Sequence, residues 1–225
     1  MTRALVPLSI SSVGDLPERC RACVNWELPA SAAAELDADQ AGFEKEVWLS
    51  GVMLTWGSAG QIVTVDDKPA GFALYAPPTA VPGAAAFPTG PVSPDAVLLT
   101  TARILPEFRG QGLARYLMNG VVGALTSRGV RAIELFGLES GEPEMPKFRL
   151  LSRRGSTEDV PKCLLPADFA RAVGFVDVAP HRRYPRLRFE LASGIGWKAE
   201  VESALEKLLT VITIPAPKVA EPALV

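Results

Sequence analysis

Apolar residues along the chain follow two rhythms, and each change of rhythm marks an element. Residues 3 to 8 (RALVPL) predict a short first strand, and GDLPERCRACVNWEL, with Pro17 near its start, holds enough helix formers to leave loop. In SAAAELDADQAGFEKEVWLSGVMLTWG, Phe43, Val47 and Leu54 recur at helical spacing with Glu44, Lys45 and Glu46 between them, which predicts one or two helices. QIVTVDDKPAGFALYA predicts a hairpin with strands 61 to 65 and 70 to 76 around the turn Asp66-Asp67-Lys68-Pro69. The next 18 residues, 77 to 94, contain six prolines and must be a loop.

DAVLLTTARIL, 95 to 105, is a continuous apolar and β-branched run, as expected of a strand buried on both faces. From Leu113 the positions Leu117, Val121 and Leu125 keep helical spacing, with Arg128 in the last turn and Gly129 where a helix stops. RAIELFG, 131 to 137, is another buried strand, so strand, turn, helix and strand make a βαβ unit. Residues 138 to 165 are mostly polar with a basic portion and predict an insertion or loop. PADFARAV predicts a short helix ended by Gly174, and FVDVA and YPRLRFEL the last strands, with Leu187, Phe189 and Leu191 on one face and Arg186, Arg188 and Glu190 on the other. A final helix is expected from about Trp197 to Leu209, followed by a frayed tail.

Composition adds exclusions. With 225 residues, 48% hydrophobic and 21% charged, the chain can bury a large core without staples. No apolar stretch approaches the roughly 20 residues needed to span a bilayer, and the N-terminus does not read as a secretory signal. A cytoplasmic protein is expected. A net charge of -2 gives no overall pull toward nucleic acid or acidic membranes. The cysteines, Cys20, Cys23 and Cys163, are odd in number and fit reduced thiols.

The chemistry concentrates in ILPEFRGQGLARYLMNG, residues 104 to 120, where an apolar strand breaks through proline, arginine and two glycines straight into a helix. Such a turn gathers backbone N–H groups at one spot, which suits phosphate. A nucleotide-triphosphate loop needs Gly-Lys-Ser/Thr, and here Leu113 and Ala114 follow Gly112. A dinucleotide loop wants a third glycine where Arg115 stands, and wants it directly after the strand. The pattern Ile104-x-Pro106-x-Phe108-Arg109-Gly110-Gln111-Gly112-Leu113-Ala114, between buried strand and helix, instead resembles motif A of the GNAT acyltransferase superfamily. The hairpin before it and the strand, Gly174-Phe175 helix end and final strands after it follow that family's order.

The resemblance implies an α/β fold: a single mixed, mostly antiparallel twisted sheet flanked by helices and splayed at its central parallel strands. The acyltransferase domain is expected over 1–194, with 138–165 as insertion or loop and 195–225 as C-terminal helix and tail. Acetyl-CoA is the implied cosubstrate, held by Arg109, Gly110, Gln111, Gly112, Leu113, Ala114 and Arg115 around its pyrophosphate. Ala102, Arg103 and Ile104 are implied as a bulged strand end that meets the pantetheine arm and the thioester carbonyl. The partner would be an amine, on a small molecule or a protein; no membrane or nucleic-acid partner and no metal are expected, and homodimerisation stays open.

An attacking amine must lose a proton, and Glu134, mid-strand in an apolar run, is the leading catalytic base. Pairing with a basic neighbour would explain it equally well. Where many family members carry a tyrosine acid, this chain has Ala170, so Tyr184 or His181 is the substitute expected to meet the departing thiolate. Cys20, Cys23, Cys163 and His181 have the donor set of a zinc site, although small buried thiols and an ordinary histidine account for them as well. The basic runs Lys147 to Arg154 and Arg182 to Arg188 suit the adenosine phosphate, nucleic acid or plain solvated faces. Trp26, Glu27, Trp48 and Trp56 fall where the family builds its acceptor pocket. Two functions follow: an N-acyltransferase, or a non-catalytic acyl-CoA-binding sensor or interaction module.

Overall fold

A computed structural model of the chain describes residues 1–140 and 163–191. Among these residues eight strands form one mixed sheet in the order β1-β2-β3-β4-β5-β8-β7, with β6 added to β5. The first four, β1 (Arg3–Pro7), β2 (Gly60–Val65), β3 (Lys68–Ala76) and β4 (Ala96–Ile104), are antiparallel neighbours. β5 (Ala132–Leu138) runs parallel to β4, and β8 (Arg186–Glu190) and β7 (Val176–Ala179) complete the far side antiparallel. No helix among the described residues is long and apolar enough to cross a membrane.

The expected hairpin forms around a tighter turn. Asp66 and Asp67 take φ of 47° and 61°, a two-residue turn with both central residues left-handed, whose twist suits the flanking strands. Lys68 and Pro69 therefore join β3 instead of the turn.

The central pair decides the architecture. β4 and β5 share only Ala96↔Ala132, Val97↔Ile133 and Leu98↔Glu134 and then part, β4 continuing along β3 and β5 along β8. Just past that last shared pair the β3–β4 register steps, with Leu74 opposite Thr101 but Tyr75 opposite Leu99, which leaves Thr100 as the extra residue. Its hydroxyl donates to the Leu74 carbonyl at 3.1 Å. The bulge thus corrects the expected position: Ala102, Arg103 and Ile104 pair regularly with Ala73, Phe72 and Gly71. A bulge bends its strand and raises the local twist, so one at Thr100 turns β4 away from β5. The short strand β6 (Leu165–Pro166) pairs with Gly137 and Leu138 beyond the parting.

Alternation along the strands puts a core layer on each face. Ala96, Leu98, Ala132 and Phe136 meet Trp26, Phe87, Tyr184 and the helix α3 (Ala38–Thr55) through Leu49 and Val52. Val97, Leu99, Ile133 and Leu135 meet α4 (Leu113–Ser127) through Leu113, Leu117, Val121 and Leu125. Ahead of α3 stand two single turns, α1 (Glu18–Arg21) and α2 (Ala30–Ala33). The longer first helix does not form, because the chain leaves helix after α1 to bury Val24, Trp26 and Glu27.

α3 turns an unexpected face inward. It starts at a reciprocal cap, Gln40 N–H to Asp37 Oδ1 at 2.8 Å and Asp37 N–H to Gln40 Oε1 at 3.0 Å. Its buried residues are Ala41, Lys45, Leu49 and Val52, while the apolar stripe Phe43, Val47 and Leu54 is 66%, 49% and 87% exposed. A lysine goes inside because Glu27, also buried, meets its ammonium.

The helix α5 (Ala167–Ala172) stops before Gly174, whose φ is 102°. The expected basic run 147–154, the final helix and the tail lie outside the described residues.

Candidate functional site

β4 leads through a short 3-10 turn, Pro106–Phe108, into the glycine loop. Gly110 and Gly112 both take left-handed φ, 75° and 73°, and a Cβ at either would meet nothing within 4 Å. Glycine stands there for its backbone, not for lack of space, since other residues occupy this region at a cost of roughly 1–2 kcal/mol. Gly112 is the residue before α4, and the first helical bond runs from Tyr116 N–H to Gly112 O at 3.2 Å. The amides of Leu113, Ala114 and Arg115 therefore precede the helical ladder and carry the positive end of the helix dipole. Arg109 and Arg115 flank the loop, both exposed, and Gln111 lies within it, its buried Oε1 without a partner among the described residues.

The start of α4 forms one wall of a groove of about 110 Å³. Its other walls are the end of β4 (Ala102, Arg103, Ile104) and the segment Leu164–Pro166 with Phe169 of α5. Ala102, Arg103, Ile104 and Ala114, expected to bind the carrier, do line this groove, and the rest of the expected binding set forms the adjoining loop. Leu117, Met118, Leu165 and Phe169 were not foreseen, since an apolar groove wall and an apolar core residue read alike in sequence. A mostly apolar groove beside the amides that precede the helical ladder suits a ligand with an apolar arm and a diphosphate.

Glu134 has a different setting from a proton acceptor. It has no exposed surface; its Oε2 accepts from Ser93 N–H at 3.0 Å and Arg186 Nη1 at 2.5 Å, and its Oε1 from Arg188 Nη1 at 3.1 Å. Burial pushes the carboxyl up, but the Ser93 and Arg186 hydrogen bonds outweigh it and hold the group below the usual carboxylate range. A carboxylate so held is a weak base and would have to give up an ion pair to reach an amine. Arg186 also donates from Nε to Thr89 O at 2.7 Å, and Arg188 grips Asp95 through both Nη atoms at 3.0 Å, so the cluster ties the proline-rich loop to β5 and β8. These two arginines are thereby engaged within the protein, away from the carrier role offered to their run.

Tyr184, expected as a substitute acid, is 7% exposed and sits in the aromatic layer, edge-on to Phe87 and stacked with His181. It does not line the groove. His181 Nδ1 accepts from Arg183 and Tyr184 N–H at 3.1 and 2.9 Å, and among the described residues no three His, Cys, Asp or Glu groups are arranged to hold a metal ion. Ala170 is fully buried.

Of the acceptor-pocket candidates, Trp26 and Glu27 are buried, and Trp48 and Trp56 are half-buried against the core. Trp26 stacks on Phe87 and Phe136 at 5.0 and 6.0 Å, Trp48 donates its indole N–H to Ala80 O at 2.6 Å, and Arg128 lies 3.5 Å over Trp56. Glu27 accepts from the Lys45 ammonium and from Trp26 N–H at 3.1 Å. This buried pair was missed. Its signal was a lysine in helical register with Ala41, Leu49 and Val52.

Among the described residues the chain is thus an open mixed α/β sheet that splits after the short parallel pairing of β4 with β5, with a glycine-turned helix start beside the split. The sequence matches the acetyltransferase (GNAT) family over residues 23–150, more than half of the chain, and the chain belongs to that family. Solved structures share the fold: an acetyltransferase at 14% identity, covering 84% of this chain and 99% of its own, with a TM-score of 0.51, and the N-acetyltransferase from Staphylococcus aureus Mu50 at 10%, 85% and 99%, with a TM-score of 0.50. The PaiA N-acetyltransferase from Thermoplasma acidophilum, solved in complex with coenzyme A, is similar at 12% identity, 84% and 99% coverage and a TM-score of 0.48. No curated protein sequence matches the chain.

Proposed function

We propose that the chain is an N-acyltransferase that moves an acetyl group from acetyl-CoA to an amine, within a domain spanning residues 1–194. The observation that carries this reading is the pair of left-handed glycines, which turns the free amides of the α4 start outward beside the groove at the end of β4. Amides from Gly110 to Arg115 would hold the diphosphate, and Ala102 to Ile104 with Leu117 and Met118 would flank the pantetheine arm. Beyond Leu98 the edge of β4 that faced β5 has left that partner, and a backbone N–H on this edge would meet the ligand. The amine nitrogen attacks the thioester carbonyl carbon, one such N–H stabilises the oxyanion, and collapse breaks the carbon–sulfur bond; the proton shed by the nitrogen passes through solvent to the departing thiolate, which leaves as free thiol. Glu134 serves this by holding the sheet and loop in place; the fully buried Ala170 and the engaged Glu134 are what favour the second reading, a binding module without turnover.

The test is acetyl-CoA binding by calorimetry, together with release of free thiol over a panel of amines, for the parent chain and Gly112→Asp. The substitution puts a negative charge and a strained backbone beside the diphosphate, and at least about tenfold weaker binding is expected, ~1.4 kcal/mol or more. Thiol release with some amine supports the transferase. Binding without release for every amine supports the module, and unchanged affinity in Gly112→Asp sinks both.

A further inference from the structure

The core side of α3 is complete with Ala41, Lys45, Leu49 and Val52, yet its other side is apolar too. Leu54 is the most exposed large hydrophobic residue among those described, and Phe43 and Val47 stand on the same side of the helix. At about 100° per residue, Phe43, Val47, Ser50 and Leu54 fall within about 60° of one another, opposite the buried set. Exposed apolar residues scattered singly need no explanation, but a continuous stripe about 17 Å long does.

The stripe is its own complement. Turned end for end about a point midway between Val47 and Ser50, a second copy sets its Leu54 against Phe43 and its Ser50 against Val47. Large side chains then meet at both ends, and a small one makes room in the middle. Charge selects this direction. Outside the core, α3 is acidic in its first half, through Asp39, Glu44 and Glu46, while Val47 to Thr55 contains no charged residue. An antiparallel partner lays the acidic half on the uncharged half, and Asp39 comes opposite Ser58. A cation stands at that end: the exposed Arg128 donates from Nη1 to the Ser58 carbonyl at 3.0 Å and also bonds the Trp56 carbonyl. A parallel partner would lay acid on acid. The same acidic flanks turn away an anionic lipid surface, which asks for Lys and Arg beside the apolar stripe.

We propose that α3 is a self-association surface, on which two copies of the chain pack their α3 helices antiparallel about a twofold axis between Val47 and Ser50. A twofold contact uses the same patch on both copies, so the patch must fit itself, as this one does. One helix face falls short of the roughly 800 Å² per partner of a standard interface, so the dimer is weak and depends on concentration. This assignment stands independently of the transferase reading.

The test is sedimentation of the full chain from about 1 to about 100 µM, with Val47→Glu and Leu54→Lys beside the parent. The parent should dimerise within this range. Both substitutions fall at exposed positions, so the variants should melt like the parent while dimerising at least about tenfold more weakly. Direction is read by mixing Phe43→Cys chains with Leu54→Cys chains under mild oxidation and mapping the linked peptides. A disulfide between positions 43 and 54 is expected in the mixture and not in either chain alone. A parent that stays monomeric at the highest concentration, whatever else covers the stripe, overturns the proposal. So does a dimer that neither substitution weakens, or a link from position 43 to position 43.

Discussion

Burying an ionised carboxylate costs several kcal/mol unless charges meet it, and Glu134 meets two guanidiniums that are themselves only 14% and 11% exposed. Glu134→Gln removes the charge and leaves Arg186 and Arg188 short of a partner. A loss of about 3 kcal/mol in urea-unfolding stability is expected, with acetyl-CoA affinity of the folded fraction retained. Unchanged stability together with abolished turnover would return Glu134 to the role of base. From sequence the residue was ambiguous for a physical reason: a charge in mid-strand must have a purpose, but a proton acceptor and an anchor present the same letter in the same place. Gly110 and Gly112 were legible because the backbone they permit is a local property.

At the scale of elements, the way β3 holds β4 shapes the groove. A Cβ on Gly71 would lie 2.6 Å from the Arg103 carbonyl oxygen, 2.6 Å from Ile104 Cδ1 and 3.1 Å from Ile104 Cα, so backbone itself would have to give way. Gly71→Val is expected to force β3 from β4 where Arg103 and Ile104 wall the groove. The chain should lose roughly 1–3 kcal/mol or more, and the acetyl-CoA affinity of what remains folded should fall. Thermal melting and calorimetry check this, and a variant that melts and binds like the parent refutes it. α3 makes the complementary case. Phe43, Val47 and Leu54 announced a helix correctly, but its inner face was chosen by the partner waiting for Lys45.

Over the whole molecule, acid should act through carboxylates held in ion pairs. Glu134 and Asp95 both lie below their ordinary range: for Asp95 the hydrogen bond from Arg188 is the largest cause, and for Glu134 the Ser93 and Arg186 bonds overcome burial. Depressed folded values mean that the unfolded chain binds protons first. Their stabilisation is present above the unfolded value, about 4, and is lost as pH falls through the folded ones. The urea midpoint should therefore drop below about pH 4, and Glu134→Gln should flatten that drop. Parallel pH profiles for the two proteins would contradict it.

By itself the sequence determined what is local: the β2–β3 hairpin, the buried run of β4, the glycine turn into α4, and the order of elements that marks the family. Spacing and backbone permission act over a few residues, so they can be read from a few letters. Tertiary structure decided that Thr100 carries the bulge, that Arg186 and Arg188 close on Glu134, that Cys163 meets Trp26, and which side of α3 is inside. Each of these depends on residues far apart in the chain meeting in space, and the free energy of such a meeting belongs to the pair, not to either residue's place in the sequence.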